Sequence, residues 1–351
     1  MKILKIPKQN LDLFVSVLPA FGDVYAPVRR GTGYAFDRPS LWSDVHMDYP
    51  RTILPPKKFM LPPREATFSF DPVKGFQDKL ADAAKPTVLF GVHAYDIYGL
   101  NILDRVFAQG PYKDPYYIAR RQATAIIGVD FQPDKNHFAR SMSADWVDTG
   151  FDLFLSDIGD SYLILVGTSR GDDIVLLSGC LTEKPTEVDI AEYKRRANER
   201  REAYQTRIEL EELPEILEME YYNKVWEEMG ARCLSCGSCS MVCPTCYCFD
   251  VTDEVNLGTR AGTRIRQWDS CLFKTHALVA GGENFRAARA SRVKFRFYHK
   301  QRGFVAEYGR PSCIGCGRCI EVCPAKIDIV SVIESIRGER HEHASSASPS
   351  A

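Results

Sequence analysis

The spacing of apolar and polar positions divides this chain into a sheet-forming first half, a charged helical middle and a cysteine-rich final third. Near the start, residues 9–18 put Leu11, Leu13, Phe14, Val17 and Leu18 on one helical face, and residues 24–27 read as a strand. The short apolar run at 87–92, Thr87-Val88-Leu89-Phe90-Gly91-Val92, has the composition of a buried strand. A helix over 97–107 follows, with Ile97, Leu100, Leu103 and Phe107 on one stripe. Asp114-Pro115-Tyr116-Tyr117 opens another helix through Arg120 and Arg121. Residues 124–129, 151–155 and 162–166 add strands, the last two separated by a turn at Gly159-Asp160. Together these predict a mixed α/β domain built on a sheet.

Between the first strand and this sheet the pattern breaks down. Pro39, Pro50, Pro55, Pro56, Pro62 and Pro63 punctuate the stretch, and residues 54–59 suit neither a central strand nor a helix interior, so they predict a wrapping loop. From 185 to 230 the chain is helical and charged. Val188, Ala191, Tyr193 and Ala197 give a thin apolar stripe, and Glu192–Arg196 is one i,i+4 pair. Pro214 interrupts, a second helix runs over 215–229, and Gly230 is the candidate C-cap.

The last third contains Cys233, Cys236, Cys239, Cys243 and Pro244, then Cys313, Cys316, Cys319, Cys323 and Pro324. This is C-x2-C-x2-C-x3-C-P written twice, the ligand spacing of a ferredoxin module with two [4Fe–4S] clusters. Three thiolates of one tight loop wrap a cubane face, and in such modules the last cysteine of each run serves the other cluster. Cluster 1 therefore takes Cys233, Cys236, Cys239 and Cys323. Cluster 2 takes Cys313, Cys316, Cys319 and Cys243. Gly237, Gly315 and Gly317 suit loops that need φ > 0. Disulfides call for an oxidising compartment. Zinc shares the C-x2-C spacing, but two full runs ending in Cys-Pro favour clusters.

The expected fold is α+β: an α/β domain over 1–185, a helical spacer over 186–230, and a ferredoxin-like domain over 231–335 carrying an insert at 249–310. A disordered tail over 336–351 holds His341 and His343. Among 351 residues the net charge is -1, which makes no general case for nucleic acid or membrane binding. No signal-peptide h-region, twin-arginine leader or bilayer-length apolar run is present, and reduced cysteines suit the cytoplasm. The insert is locally basic, with Arg264, Arg266, Arg292, Arg296, Lys300 and Arg310 among Trp268, Phe285, Phe295, Phe297 and Tyr298. That mixture also occurs in nucleic-acid grooves. Offsetting the charge of thiolate-ligated clusters and docking an acidic partner face is the preferred reading, with no nucleic acid expected.

Of 12 cysteines, Cys180, Cys246, Cys248 and Cys271 lie outside the two runs. Cys246, Cys248 and Cys271 could hold a third cluster, react as redox thiols, or pack as small apolar residues behind the clusters. In a strand, Cys246 and Cys248 would share a face. His93 and Asp96, at a strand end, are the other candidates, with a structural role favoured for His93. No G-x-G-x-x-G or Walker loop marks a nucleotide site.

Residues 233–249, 264–271, 281–286, 297–300 and 308–324 resemble the iron–sulfur beta subunit of cytosolic NiFe hydrogenases of the sulfhydrogenase type. They also resemble, less closely, the corresponding iron–sulfur subunit of anaerobic sulfite reductase. Leu89-Phe90-Gly91-Val92 with Asp96, Leu103-Asp104, Asp114-Pro115-Tyr116-Tyr117 and Gly150-Phe151-Asp152-Leu153 extend the likeness over residues 50–335. The resemblance implies an electron-transfer subunit, non-catalytic by itself. It would relay electrons between a flavoprotein subunit that binds FAD and NAD(P) and a catalytic partner. The partner would be the small iron–sulfur and NiFe subunits of a hydrogenase, or alternatively the catalytic subunit of a sulfite reductase or another flavin-linked complex. Reduction of sulfur or polysulfide at the extra cysteines is a further alternative. Relatives carry a cysteine where this chain has Tyr95, and others around 130–141, where it has none. His93, Asp96 or His137 are the residues that could stand in for such ligands.

Overall fold

The computed structural model describes residues 2–179 and 183–338, so Cys180, His341 and His343 lie outside the described residues, as does the tail from 339 onward. Seven strands form the central sheet: β1 (Lys2–Pro7), β2 (Asp23–Arg30), β3 (Gly33–Asp37), β6 (Thr87–His93), β7 (Thr124–Val129), β8 (Leu153–Asp157) and β9 (Ser161–Val166). Their order across the sheet is β1-β9-β8-β7-β6-β2-β3. The middle pairings β2–β6, β6–β7 and β7–β8 are parallel, and the outer ones are antiparallel. A parallel centre must be covered on both faces, which is why β6 and β7 are unbroken apolar runs.

One face packs under α1 (Leu11–Ser16) and α4 (Ser169–Ser178), with Val88, Phe90, Ala125, Ile127, Leu153 and Ile174 in its core. The other face meets α2 (Ala94–Phe107) and α3 (Pro115–Ala123). Leu89, Ile126 and Phe154 there join Ile97, Leu100 and Leu103 in a core that continues without a break to Val293, Phe297, Ile314 and Ile333. Gly128 permits the close approach of α2: a Cβ there would stand 2.8 Å from Ile97 Cδ1.

The proline-dotted stretch is more regular than expected. It contains β3, β4 (Arg64–Asp71) and β5 (Gly75–Asp78), plus a helical turn, Lys57–Met60, that begins directly after Pro56. Proline is compatible with the start of a helix, where its missing N–H is not needed. The stretch does wrap onto the cysteine region, as argued below. β4 and β5 form a second sheet with β10 (Phe249–Val255) and β11 (Gly262–Trp268), in the order β10-β11-β4-β5. β5 and β10 are exposed throughout, and none of the four strands carries the apolar run that announces a buried sheet.

The charged middle forms α5 (Glu187–Glu202), opened by a Thr186–Asp189 capping box, with Arg196 Nε donating to Glu192 at 2.6 Å. Val188 and Ala191, expected in the buried stripe, are exposed. The second expected helix is two, α6 (Leu213–Met219) and α7 (Val225–Arg232). Both pack against α8 (Arg289–Gln301), and α9 (Ile329–Arg337) closes over them. Gly230 lies inside α7 and is not its cap. It is small because α8 crosses there: a Cβ would sit 2.6 Å from Ala290 N.

Candidate iron–sulfur site

Each cysteine run folds as a tight loop leading into one helical turn, Ser238–Met241 in the first and Arg318–Glu321 in the second. Gly237 and Gly317 cap those turns at φ +73° and +72°, and Gly315 holds φ +67°. The equivalent of Gly315 in the first run is Ser235, left-handed at φ +55° without the freedom of a glycine. Backbone amides point at sulfur in both runs: Ser235 N–H donates to Cys233 Sγ and Ile327 N–H to Cys323 Sγ, each at 3.3 Å.

The loops bring the sequence-predicted residues together across the chain. Cys233, Cys236, Cys239 and Cys323 line one cavity, walled by Leu272, Val293 and Phe297, and Cys319 of the second set lines it too. Cys313, Cys316, Cys319 and Cys243 form a second, more enclosed set close enough to influence one another's ionisation. Burial comes first among the causes that push the Cys313 thiol up, to about 12, and then the neighbouring Cys243 and Cys316. Among the described residues no three His, Cys, Asp or Glu side chains converge tightly enough for a single metal ion. A cubane asks for the opposite arrangement, one thiolate per corner iron around a larger body. The apolar cavity with four thiols on its wall fits that group.

Buried cations compensate this concentration of thiols. Arg292, Arg296 and Lys300 recur every fourth residue along one face of α8. Arg296 lies between the two sets, with Nη1 donating to Cys246 Sγ at 3.2 Å and Nη2 to Cys239 O at 2.8 Å. Cys239, Cys246, Cys243 and Cys319 all hold its guanidinium protonated against burial. Lys300 donates to Thr245 O at 2.8 Å and Ser312 Oγ at 3.3 Å, joining the two runs. Arg292 donates to Leu272 O at 2.9 Å and Ser235 Oγ at 3.2 Å. Lys57, on the wrapping segment, donates to Cys246 O at 2.8 Å, and burial lowers its pKa to about 8. The basic composition of the insert was legible in sequence. The depth of these three α8 cations was not, although their i, i+4, i+8 spacing within a helical stretch carries the signal.

Among the described residues the remaining cysteines are Cys246, Cys248 and Cys271, and Cys248 is close enough to feel both of the others. Cys246 lies in a loop, not a strand, and its S–H bonds to Cys243, which holds Cys243 low and Cys246 high. Cys248 meets Cys271 instead, in a thiol–thiol hydrogen bond that lowers Cys248 and raises Cys271.

The N-terminal candidates gather on the second set's side. Asp96 is engaged by Arg318 in a bidentate pair, both bonds 2.7 Å, with Arg318 Nε donating to Thr52 O at 2.8 Å. His93 stacks on Tyr49 at 3.9 Å between centroids and has Nδ1 2.8 Å from Tyr95 Oη. Burial first, then His137, keeps its pKa well below the usual imidazole value. His137 accepts at Nδ1 from Asp134 N–H at 3.1 Å, with Arg51 Nη2 3.0 Å away. His93, Tyr95, Phe131 and His137 thus share one aromatic box.

Residues 232–327 match the family model described as a 4Fe-4S dicluster domain. Over 337 residues the chain is 39% identical to sulfhydrogenase 2 subunit beta of Pyrococcus furiosus, covering 96% of this chain and 99% of that relative. No helix among the described residues is long and apolar enough to cross a membrane.

Proposed function

This chain belongs to the family of sulfhydrogenase beta subunits, and on that premise we propose that it is a relay holding two [4Fe–4S] clusters. In this reading Cys233, Cys236, Cys239 and Cys323 bind cluster 1, and Cys313, Cys316, Cys319 and Cys243 bind cluster 2. The chain passes electrons between a flavoprotein subunit that binds FAD and NAD(P) and the NiFe catalytic part of a cytoplasmic hydrogenase. A bound [4Fe–4S] cluster supplies a one-electron couple.

The observation that carries the reading is the shared cavity, in which three thiols of one run meet a fourth from the other. Around it the protein's own groups have separate tasks. Leu272, Val293 and Phe297 exclude water from the cavity wall. The amides of Ser235 and Ile327, and the guanidinium of Arg296 close to Cys239, Cys243 and Cys319, stabilise negative charge on sulfur. Leu234 and Cys236 bring the first set to the protein surface.

The test is anaerobic purification of the full chain with iron and acid-labile sulfide counted. About eight irons per chain are expected, falling to about four in Cys323→Ser and in Cys243→Ser. In each variant the surviving electron paramagnetic resonance signal identifies the cluster that the mutated run itself encloses. A Cys323→Ser chain that keeps all its iron would overturn the crossed ligation. An active native complex without nickel would overturn the hydrogenase partner.

A further inference from the structure

A groove of about 960 Å³ lies next to the segment that enters the second cysteine run. It runs between α2, residues 140–150 and the segment Glu307–Arg310 that leads to Cys313. Its volume is at the upper end of the ~300–1,000 Å³ typical of small-molecule sites. α2 ties it to the cluster region, since a Cβ on Gly99 would stand 3.0 Å from Pro244 and 3.4 Å from Ile314, the neighbours of Cys243 and Cys313.

Four arginines line it, Arg105, Arg140, Arg201 and Arg310, and two of them lie against tyrosines. The Arg310 guanidinium is 3.9 Å from the Tyr98 ring centroid, and that of Arg105 is 5.8 Å from the Tyr308 centroid. Arg310 Nη2 donates to Met142 O at 3.2 Å, but its Nε and the adjacent Tyr98 Oη are buried without a hydrogen-bond partner. Burial alone pulls Arg310 down, with no neighbouring carboxylate to offset it. Three of the groove's four acids already have partners, two of them within its own lining. Asp104 takes Tyr117 Oη at 2.7 Å and Arg121 at 3.2 Å, Asp145 pairs with Arg201 at 3.6 Å, Asp148 accepts from the Trp146 indole at 3.1 Å, and Glu307 is exposed. Arg310 lies against the Tyr98 ring with Nη2 on Met142 O and Nη1 still to offer, and a guanidinium without a carboxylate partner suits a phosphate oxygen. The half-exposed Trp146 supplies a ring face nearby.

We propose that this groove binds a phosphate-bearing aromatic ligand of the nucleotide class, with its phosphate at Arg310 and Arg105. Two guanidinium groups take the place of the glycine-rich loop that the sequence lacks. Binding does not depend on how the cysteines ligate iron. An electron-exchange role for the ligand does rest on the relay function.

The experiment is isothermal titration of the full, iron-loaded chain with flavin mononucleotide and with adenosine monophosphate, using riboflavin, adenosine and inorganic pyrophosphate as fragments. One of the two nucleotides should bind with a Kd below about 100 µM, or roughly −5.5 kcal/mol. Removing its phosphate should weaken binding at least about tenfold, as should R310A and R105A, each losing a charged hydrogen bond. R310K, which keeps charge but not the fork, should be intermediate. Iron content and thermal midpoint establish that each variant is folded, and Arg105, remote in sequence from the cysteines, covers the case in which R310A fails to fold. No binding of either nucleotide at about 1 mM, affinity unchanged in the R310A/R105A double variant, or pyrophosphate binding as tightly as the nucleotide would each overturn the proposal.

Discussion

The two cysteine runs are spelled alike and enclosed differently. In the first, Cys236 is exposed, Leu234 is 62% exposed, and the left-handed position is filled by Ser235. In the second, Phe138 N–H donates to Gly315 O at 2.9 Å, Gly317 sits under Asn136, and Arg318 is sealed against Asp96. Spacing within a run is a local property and specifies what can be ligated. Burial, N–H···S bonds and nearby charge are tertiary properties, and they set a cluster's potential. A repeated motif therefore provides two unlike environments: one set near the surface and one inside, against the sheet domain.

The largest effect should come from opening the inner envelope. Asp96 and Arg318 have side chains 0% and 1% exposed. Asp96→Ala leaves the guanidinium buried and unpaired, a loss of about 3–5 kcal/mol. Anaerobic denaturation should show that loss, together with preferential loss of the inner set's iron. Ser238→Ala, at the position in the first run that matches Arg318, should change stability by less than about 0.5 kcal/mol. Equal losses from the two variants would abolish the contrast.

The glycines give a second, smaller comparison. A Cβ at Gly315 would stand 2.5 Å from Phe138 backbone carbon, whereas one at Gly237 would meet the Phe273 ring at the same distance. Both positions have positive φ, so alanine costs about 1–2 kcal/mol of conformational strain at either. Backbone cannot yield as a ring can, so Gly315→Ala should cost about 2–4 kcal/mol in total and Gly237→Ala about 1–2. Arg296→Met should then act on both sets at once. It removes charged hydrogen bonds of about 1.5–3 kcal/mol. It should also lower both midpoint potentials, on the order of tens of millivolts, in an electron paramagnetic resonance titration. A shift confined to one cluster would place Arg296 in one envelope and not between them.

What could be read from the sequence follows the same division between local and tertiary. The three loop glycines were legible because φ > 0 is a short-range requirement, and the cysteine spacing from which the ligands are proposed is equally local. The buried strands β6 to β9 and the helix α2 were legible because each carries its own apolar run or stripe. The second sheet was not, because β4–β5 and β10–β11 are hairpins with exposed outer strands that pair across nearly two hundred residues, through Arg264↔Phe68 among others. Gly230 looked like a helix end because glycine at a cap and glycine at a helix crossing are identical in one dimension. The pairing of Asp96 with Arg318 and the box of His93, Tyr95 and His137 depend on chain segments meeting in space, and no spacing rule reports that.

The smallest effect tests whether the first run can be made to resemble the second. Ser235 occupies the place of Gly315 and has φ +55°, so it carries about 1–2 kcal/mol of left-handed strain. Its half-buried hydroxyl accepts from Arg292 Nη2 at 3.2 Å, and this length and partial exposure hold the charged bond to the lower range of about 0.5–1.5 kcal/mol. Ser235→Gly relieves the first and forfeits the second, so its net effect should lie within about 1 kcal/mol of zero. Ser235→Ala keeps the strain and loses the bond, so it should be destabilising by about 0.5–1.5 kcal/mol. If the two variants behave alike in denaturation, the hydroxyl alone matters and the backbone stores nothing. If Ser235→Gly is the more stable, the serine is retained against its own conformational preference, and holding Arg292 beside the outer cysteines is the task that retains it.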